Sequence, residues 1–278
     1  MGTRIRSEIH LNPYPTSIFY KALEDAVLQC TRLRKRFGGL FAVDGVDLSL
    51  LKGAISLIIG PNGSGKSSLI NLISGFYIPD EGRIMLNGWD ITTLPSHERF
   101  RIGIFRSFQN AQLFPSLTVL QNLIMAAGPL RGEKILSAIL GRDWPAEEER
   151  LAKKAFRVIE LLGLAHLSDQ PASNLSGGQM KLVELGRAIM SGAQIVLLDE
   201  PTAGLNPVIA EKILQYIKTV ASDFGITFLI VEHRLDLAMK YVDNVYAMFG
   251  GRIIAEGKPE YILSLPEVIE SYLGERQA

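Results

Sequence analysis

Gly60-Pro61-Asn62-Gly63-Ser64-Gly65-Lys66-Ser67 is the stretch on which the reading of this chain turns. It has the G-x-x-x-x-G-K-S spacing of a P-loop. The compact apolar run Ile55 to Ile59 before it has the pattern of a buried strand. Leu69, Leu72 and Ile73 after it fall on one helical face, and Gly75 is placed to end that helix. Strand, tight turn and helix are the context the motif needs. The glycines let the backbone turn sharply and bring its N–H groups against phosphate oxygens, and the positive end of the helix adds to the attraction. On this reading Gly60, Pro61, Asn62, Gly63, Ser64, Gly65, Lys66, Ser67 and Ser68 hold the phosphates of a nucleotide. Lys66 neutralises the β- and γ-phosphates, Ser67 offers its hydroxyl to Mg²⁺, and Ser68 adds a donor near the α-phosphate.

Working outward, a second apolar run, Ile195 to Leu198, ends in Asp199-Glu200. Such a strand is expected beside the loop strand, with both acids at the ligand end of the sheet. Asp199 would then orient Mg²⁺ through water, and Glu200 would take a proton from the attacking water. An Asp-Glu pair followed by Pro201 also suits the first turn of a helix; the phosphate loop upstream favours the reaction role. Ile226 to Val231 is a third buried-strand run. Residues 111 to about 190 differ from this pattern: Leu151, Ala155, Ile159 and Leu162 recur at helical spacing, as do Leu182, Leu185 and Ile189. The chain thus reads as a helical lobe inserted into an α/β core with a largely parallel sheet. Residues 1–25 read as an extension, interrupted by Pro13 and Pro15, with a short helix expected over Ser17 to Glu24.

Composition bounds the partners. Lys plus Arg number 29 and Asp plus Glu 29 in 278 residues, so the basic excess of a nucleic-acid binder is missing. The single cysteine, Cys30, excludes an internal disulfide framework and sits in an apolar stretch, where a buried, inert thiol is expected. No run approaches the roughly 18 apolar residues of a membrane span. Met1 to His10 is too polar for a secretory signal, and Arg6 stands where a myristoylation motif wants Ser or Thr. These features predict a cytoplasmic protein that meets a membrane only through a partner. Trp89 and Trp144 have no motif context and are expected to pack; His10, His97 and His166 are read as ordinary polar residues.

Leu175-Ser176-Gly177-Gly178-Gln179, lying between the loop and the acidic strand, is identical to the signature of the ATP-binding-cassette (ABC) ATPases, and the chain resembles that family over residues 26 to 257. The resemblance implies an α/β P-loop fold: a RecA-like, mostly parallel core (about 26–110 and 191–257) with an antiparallel N-terminal β-subdomain, an inserted all-helical signature subdomain (about 111–190), and a helical tail over 258–278. It further implies that ATP and Mg²⁺ are bound, with Phe37, about thirty residues before Lys66, stacking on adenine. Simple packing is the other reading of Phe37. Gln109 resembles the family's Q-loop glutamine, near Mg²⁺ or the attacking water where the two lobes join. His233 resembles the switch histidine that contacts the γ-phosphate. Ser176, Gly177, Gly178 and Gln179 would contact the nucleotide of a second subunit, in a homodimer or with a sister chain.

Asn206 in Ala203-Gly204-Leu205-Asn206 stands where many members carry Asp, which leaves the coupling between the two sites open. Together with Arg36-Phe37-Gly38-Gly39, Phe108-Gln109-Asn110, Leu113-Phe114-Pro115, Tyr272-Leu273-Gly274-Glu275 and an insertion around 128 to 150, it is similar to the ATPases of branched-chain amino acid importers. That branch implies permease subunits and, indirectly, a solute-binding protein as partners. The docking surface for the permease is expected beside Gln109, over Phe114 to Asn122. Urea or amide transporters have similar subunits. A non-transport ABC ATPase is a further alternative, although no sustained heptads and no second cassette occur.

Overall fold

A computed structural model of the chain describes residues 26–107, 112–127 and 144–273. The expected extension, Gln109 with its neighbours Phe108 and Asn110, the 128–143 part of the insertion and the last residues from Gly274 lie outside the described residues. In chain order the strands and helices are β1 (Ala26–Phe37), β2 (Leu40–Leu51), β3 (Ile55–Ile59), α1 (Lys66–Ile73), β4 (Glu81–Leu86), β5 (Trp89–Asp90), α2 (Ser96–Arg101), β6 (Ile104–Arg106), α3 (Val119–Met125), α4 (Trp144–Leu161), α5 (Gly177–Met190), β7 (Ile195–Asp199), α6 (Pro207–Phe224), β8 (Thr227–Val231), α7 (Leu235–Ala238), β9 (Asn244–Phe249), β10 (Arg252–Gly257), α8 (Pro259–Leu263) and α9 (Pro266–Leu273).

Two sheets carry the α/β core. β2-β1-β4-β5 form an antiparallel sheet, and β10-β9-β3-β8-β7-β6 form a second sheet that is parallel except for its edge strand β10. The second sheet is covered on both faces, which is why β3 and β8 are buried at every position. Alternation along the strands sorts residues into two cores. Leu57, Val196, Leu198 and Ile230 face α6 and the helical lobe. Ile58, Ile195, Leu197 and Val231 face α1 and the antiparallel sheet. The periodic residues of the lobe, Leu151, Ala155, Ile159, Leu185 and Ile189, are buried as their spacing predicts.

The strand order corrects one expectation. β7, with its acids, does not lie beside β3; β8 runs between them. The registers Ile58↔Val231 and Val231↔Asp199 align the ends of all three strands. Adjacent strands are about 4.8 Å apart, so Asp199 stands roughly 10 Å from β3. The residues after Val231 therefore emerge between the phosphate loop and the acids.

Trp89 is also corrected. It begins the two-residue edge strand β5 after the Asn87-Gly88 turn, and nothing beyond that edge covers it; it is 78% exposed. Cys30, by contrast, is buried in β1, and burial pushes its thiol pKa up to about 12.

Candidate active site

The loop from Gly60 to Gly65 joins β3 to α1. Two glycines are sterically required. A Cβ on Gly60 would stand 2.1 Å from Met248 O, and one on Gly65 2.1 Å from Ala42 O, with φ at +150° and +105°. Backbone from β9 and β2 thus presses the loop into shape from two sides. Ser64 O also accepts the Gly251 N–H at 2.9 Å, tying the loop to the β9–β10 turn. Gly65 is the N-cap of α1 and no side chain caps the helix, so its first turn offers N–H groups and the positive dipole end to an anion. Lys66 is buried, its Nζ donating to Gly60 O (2.7 Å) and Pro61 O (2.8 Å). Ser67 and Asn62 are exposed and Ser68 half-buried. Ser64 Oγ is buried without a hydrogen-bond partner.

The acids and the histidine converge at the C-terminal end of the parallel strands, where the phosphate loop also lies. His233 Nε2 lies 3.3 Å from Glu200 Oε1. Asp199 lies within the electrostatic field of Arg106, Glu200, Lys66 and His233. Burial pushes the Asp199 carboxyl above the usual carboxylate range, and the guanidinium of Arg106 opposes this. Arg106 Nη2 stands 3.8 Å from Asp199 Oδ2. Arg106 also donates to Asn71 Oδ1 and to Ser74 Oγ (3.1 Å) on or beside α1, and its guanidinium lies 5.0 Å from the Phe76 ring centroid. The helix-start alternative for Asp199-Glu200-Pro201 does not hold. Glu200 has φ +52° and begins a turn, and α6 starts only at Pro207, capped by Asn206, whose Oδ1 accepts the Ile209 N–H at 3.0 Å.

Phe37 ends β1 at the hairpin that brings Ala42 against the loop. Its ring is half-exposed, with the edge of Tyr77 at 5.2 Å between centroids and Lys35 Nζ at 5.8 Å. The signature stretch forms a different corner. Ser176 caps α5, its Oγ accepting the Gln179 N–H (3.4 Å) while Gln179 Oε1 accepts the Ser176 N–H (2.8 Å). Ser176 and Gly177 are exposed. Gly178 is buried against α6, where an added Cβ would stand 2.6 Å from Ile209 Cγ2. Gln109 lies outside the described residues.

Arg106, Asn71, Tyr77 and Glu232 belong to this constellation without having been read from the sequence. No motif marks the first three. Glu232 had a signal: an acid directly before the singled-out histidine.

The family model described as "ABC transporter" matches residues 43–203, from β2 through the loop and signature to the turn after β7. The chain belongs to the ABC transporter family. Within that family it is similar to the "probable branched-chain amino acid transport ATP-binding protein LivG" of Archaeoglobus fulgidus, at 49% identity over 89% of this chain and 95% of the relative. Its fold matches the ADP conformation of an ATP-binding cassette of an ABC transporter, with TM-score 0.78, 45% identity, and coverage of 90% and 99% of the two chains. It also matches an ATP-binding cassette solved as a dimer in a post-hydrolysis state with ADP and Pi, with TM-score 0.68, 27% identity, and coverage of 84% and 98%. The chain is therefore an ABC ATPase of the α/β P-loop class expected from its motifs.

Proposed function

We propose that this chain is the ATP-hydrolysing subunit of an importer for branched-chain amino acids, working as a head-to-tail dimer beneath a separate permease that a solute-binding protein supplies. The hydrolytic part rests on one observation above all: the 3.3 Å approach of Glu200 to His233 at the strand ends beside the loop that carries Lys66. In this reading Lys66 and the N–H groups of residues 62–68 hold the β- and γ-phosphates. Glu200 accepts a proton from water as that water attacks the γ-phosphorus, so ATP and water give ADP and phosphate. His233 donates to the transferred phosphoryl group, and Phe37 packs on the base. The donor set suits Mg²⁺, which takes few protein ligands and keeps several waters: a hydroxyl from Ser67 and a carboxylate from Asp199 beside a phosphate loop. Bound there, it would neutralise phosphate charge during transfer. The remaining metal candidate is Gln109.

A second chain is needed because residues 60–68 approach the triphosphate from one side only. The exposed Ser176 and Gly177 at the N-terminus of α5 supply a second set of donors for a partner's γ-phosphate, which would complete the cage and exclude water. A cassette of similar fold has been solved as a dimer. Import of branched-chain amino acids is supported by the named relative. Among the described residues no helix is long and apolar enough to cross a membrane, and in our reading the chain is held at the inner face of the membrane by the permease, docked on Phe114 to Thr118 of the expected Phe114 to Asn122 surface, because Val119 and Asn122 are buried.

Glu200→Gln tests the core of this reading. It should bind ATP, hydrolyse it about 10²–10⁴-fold more slowly, and run as a nucleotide-dependent dimer on sizing. Near-normal turnover would refute the base assignment. Lys66→Ala should weaken nucleotide binding, and unchanged affinity would undo the loop assignment. For the cargo, cells lacking the chain should lose uptake of leucine, isoleucine and valine and regain it with the wild type only; undiminished uptake of all three would remove the cargo class.

A further inference from the structure

The residues on both sides of His233 reach back to the turn that follows Glu200. Glu232 is 2% exposed. Its Oε1 accepts the Thr202 N–H at 2.7 Å and its Oε2 accepts the His233 N–H at 3.2 Å. Arg234 Nη1 donates to Leu205 O at 3.2 Å. With the Glu200 N–H on Val231 O at 2.9 Å, the 200–205 turn is joined to 231–234 at three points along its length. These ties have something to hold. Glu200 keeps a left-handed φ of +52°, a strained conformation for a residue with a side chain, which persists only where the surroundings over-determine it. The Glu200 and His233 side chains are each partly exposed, so packing alone does not fix their mutual distance.

We infer that Glu232 and Arg234 are positioning residues for hydrolysis, acting through the 202–205 backbone to hold the Glu200 carboxylate and the His233 imidazole in reactive alignment. The inference rests on Glu200 being the base. The contacts given above for Glu232 and Arg234 all end on backbone of these two turns, and the phosphate loop is built from other elements. Loss of either tie should therefore lower kcat and leave the KM for ATP nearly unchanged.

The test uses the full chain and steady-state ATP hydrolysis, with melting curves recorded beside it. Arg234→Met keeps the bulk and removes the donor. It should lower kcat about 10-fold with KM within about 2-fold, since a shift well under 1 Å between reacting groups has effects of this order. Arg234→Lys keeps one charged donor, all that a single carbonyl requires, and should stay within about 3-fold of wild type. Glu232→Gln keeps the shape but sets an NH₂ against one of the two N–H groups, and should fall like Arg234→Met. In a His233→Ala background, Arg234→Met should add no further loss, because the alignment it serves is already gone. A kcat for Arg234→Met within 2-fold of wild type, an equal loss for the Met and Lys variants, or a loss that multiplies with His233→Ala would each overturn the inference. If Arg234→Met does not fold, the Lys and Glu232→Gln variants decide by the same thresholds. Should Glu200→Gln hydrolyse normally, the base reading fails first; should it be slow while Arg234→Met is normal, only the positioning role fails.

Discussion

Asn122 offers the most direct test of how the loop before α3 is held. The sequence reading placed it within the surface stretch Phe114 to Asn122. In the structure it is fully buried and acts from beneath. Its Oδ1 accepts the Phe114 N–H at 2.9 Å, and its Nδ2 donates to Phe114 O (3.1 Å), Leu117 O (3.1 Å) and Thr118 O (3.0 Å). If the side chain is lost, Phe114 O keeps the Leu117 N–H (3.1 Å), Leu117 O the Ala172 N–H (2.9 Å) and Thr118 O the Asn122 N–H (2.9 Å). Asn122→Ala therefore leaves the Phe114 N–H without its partner and takes a second donor from each of three carbonyls. One unsatisfied donor costs about 1–3 kcal/mol, and Phe114 itself is half-exposed so that water can recover part of the loss, so the expected destabilisation is about 1–2 kcal/mol. Asn122→Asp is more telling. An ionised carboxylate still accepts from Phe114 but faces three carbonyl oxygens, so it should be worse than Ala at neutral pH. It should recover in acid, where the protonated form donates again. Urea denaturation of the wild type and the two variants, together with hydrogen exchange at the Phe114 amide, measures this. A loss under about 0.5 kcal/mol for Asn122→Ala with full Phe114 protection would refute the clamp.

Three further outcomes are expected. Asp199→Asn should melt higher than wild type at pH 7 without nucleotide, while losing hydrolysis. Burial raises the folded pKa above the unfolded value of 3.8, so the favourable contribution exists below that value and is lost as pH rises through the raised one. The gap should therefore close in acid, and an Asn variant less stable at neutral pH contradicts this. Arg99, completely buried, donates to Leu94 O, Leu72 O, Ile73 O and Thr92 O, two of them at the end of α1. Arg99→Ala should lower stability by at least about 3 kcal/mol and weaken nucleotide binding through α1; a urea midpoint near wild type would exclude this. Cys30, with its thiol at about 12, should resist alkylation at pH 8 until guanidinium unfolds the chain, and fast labelling of the folded protein would contradict its burial.

What the sequence determined by itself is local. Turn glycines, strand runs and helical spacing act over a few neighbouring residues, so the loop at Gly60 to Ser67, the strands β3, β7 and β8, and the lobe helices α4 and α5 were legible before any contact was known. The signature stretch is legible by its resemblance to the family motif, and its local structure is short-range as well: Ser176 and Gln179 cap their own helix three residues apart. Strand order is another matter. That β8 runs between β3 and β7 depends on which buried edges meet, and no period in the chain encodes it. The pairing of Glu200 with His233, the placement of Arg106 beside Asp199, and the clamp of Glu232 and Arg234 on the 202–205 turn all follow from that order. They join residues distant in sequence whose side chains meet only once parallel strands are in register, and that register is a property of the folded sheet.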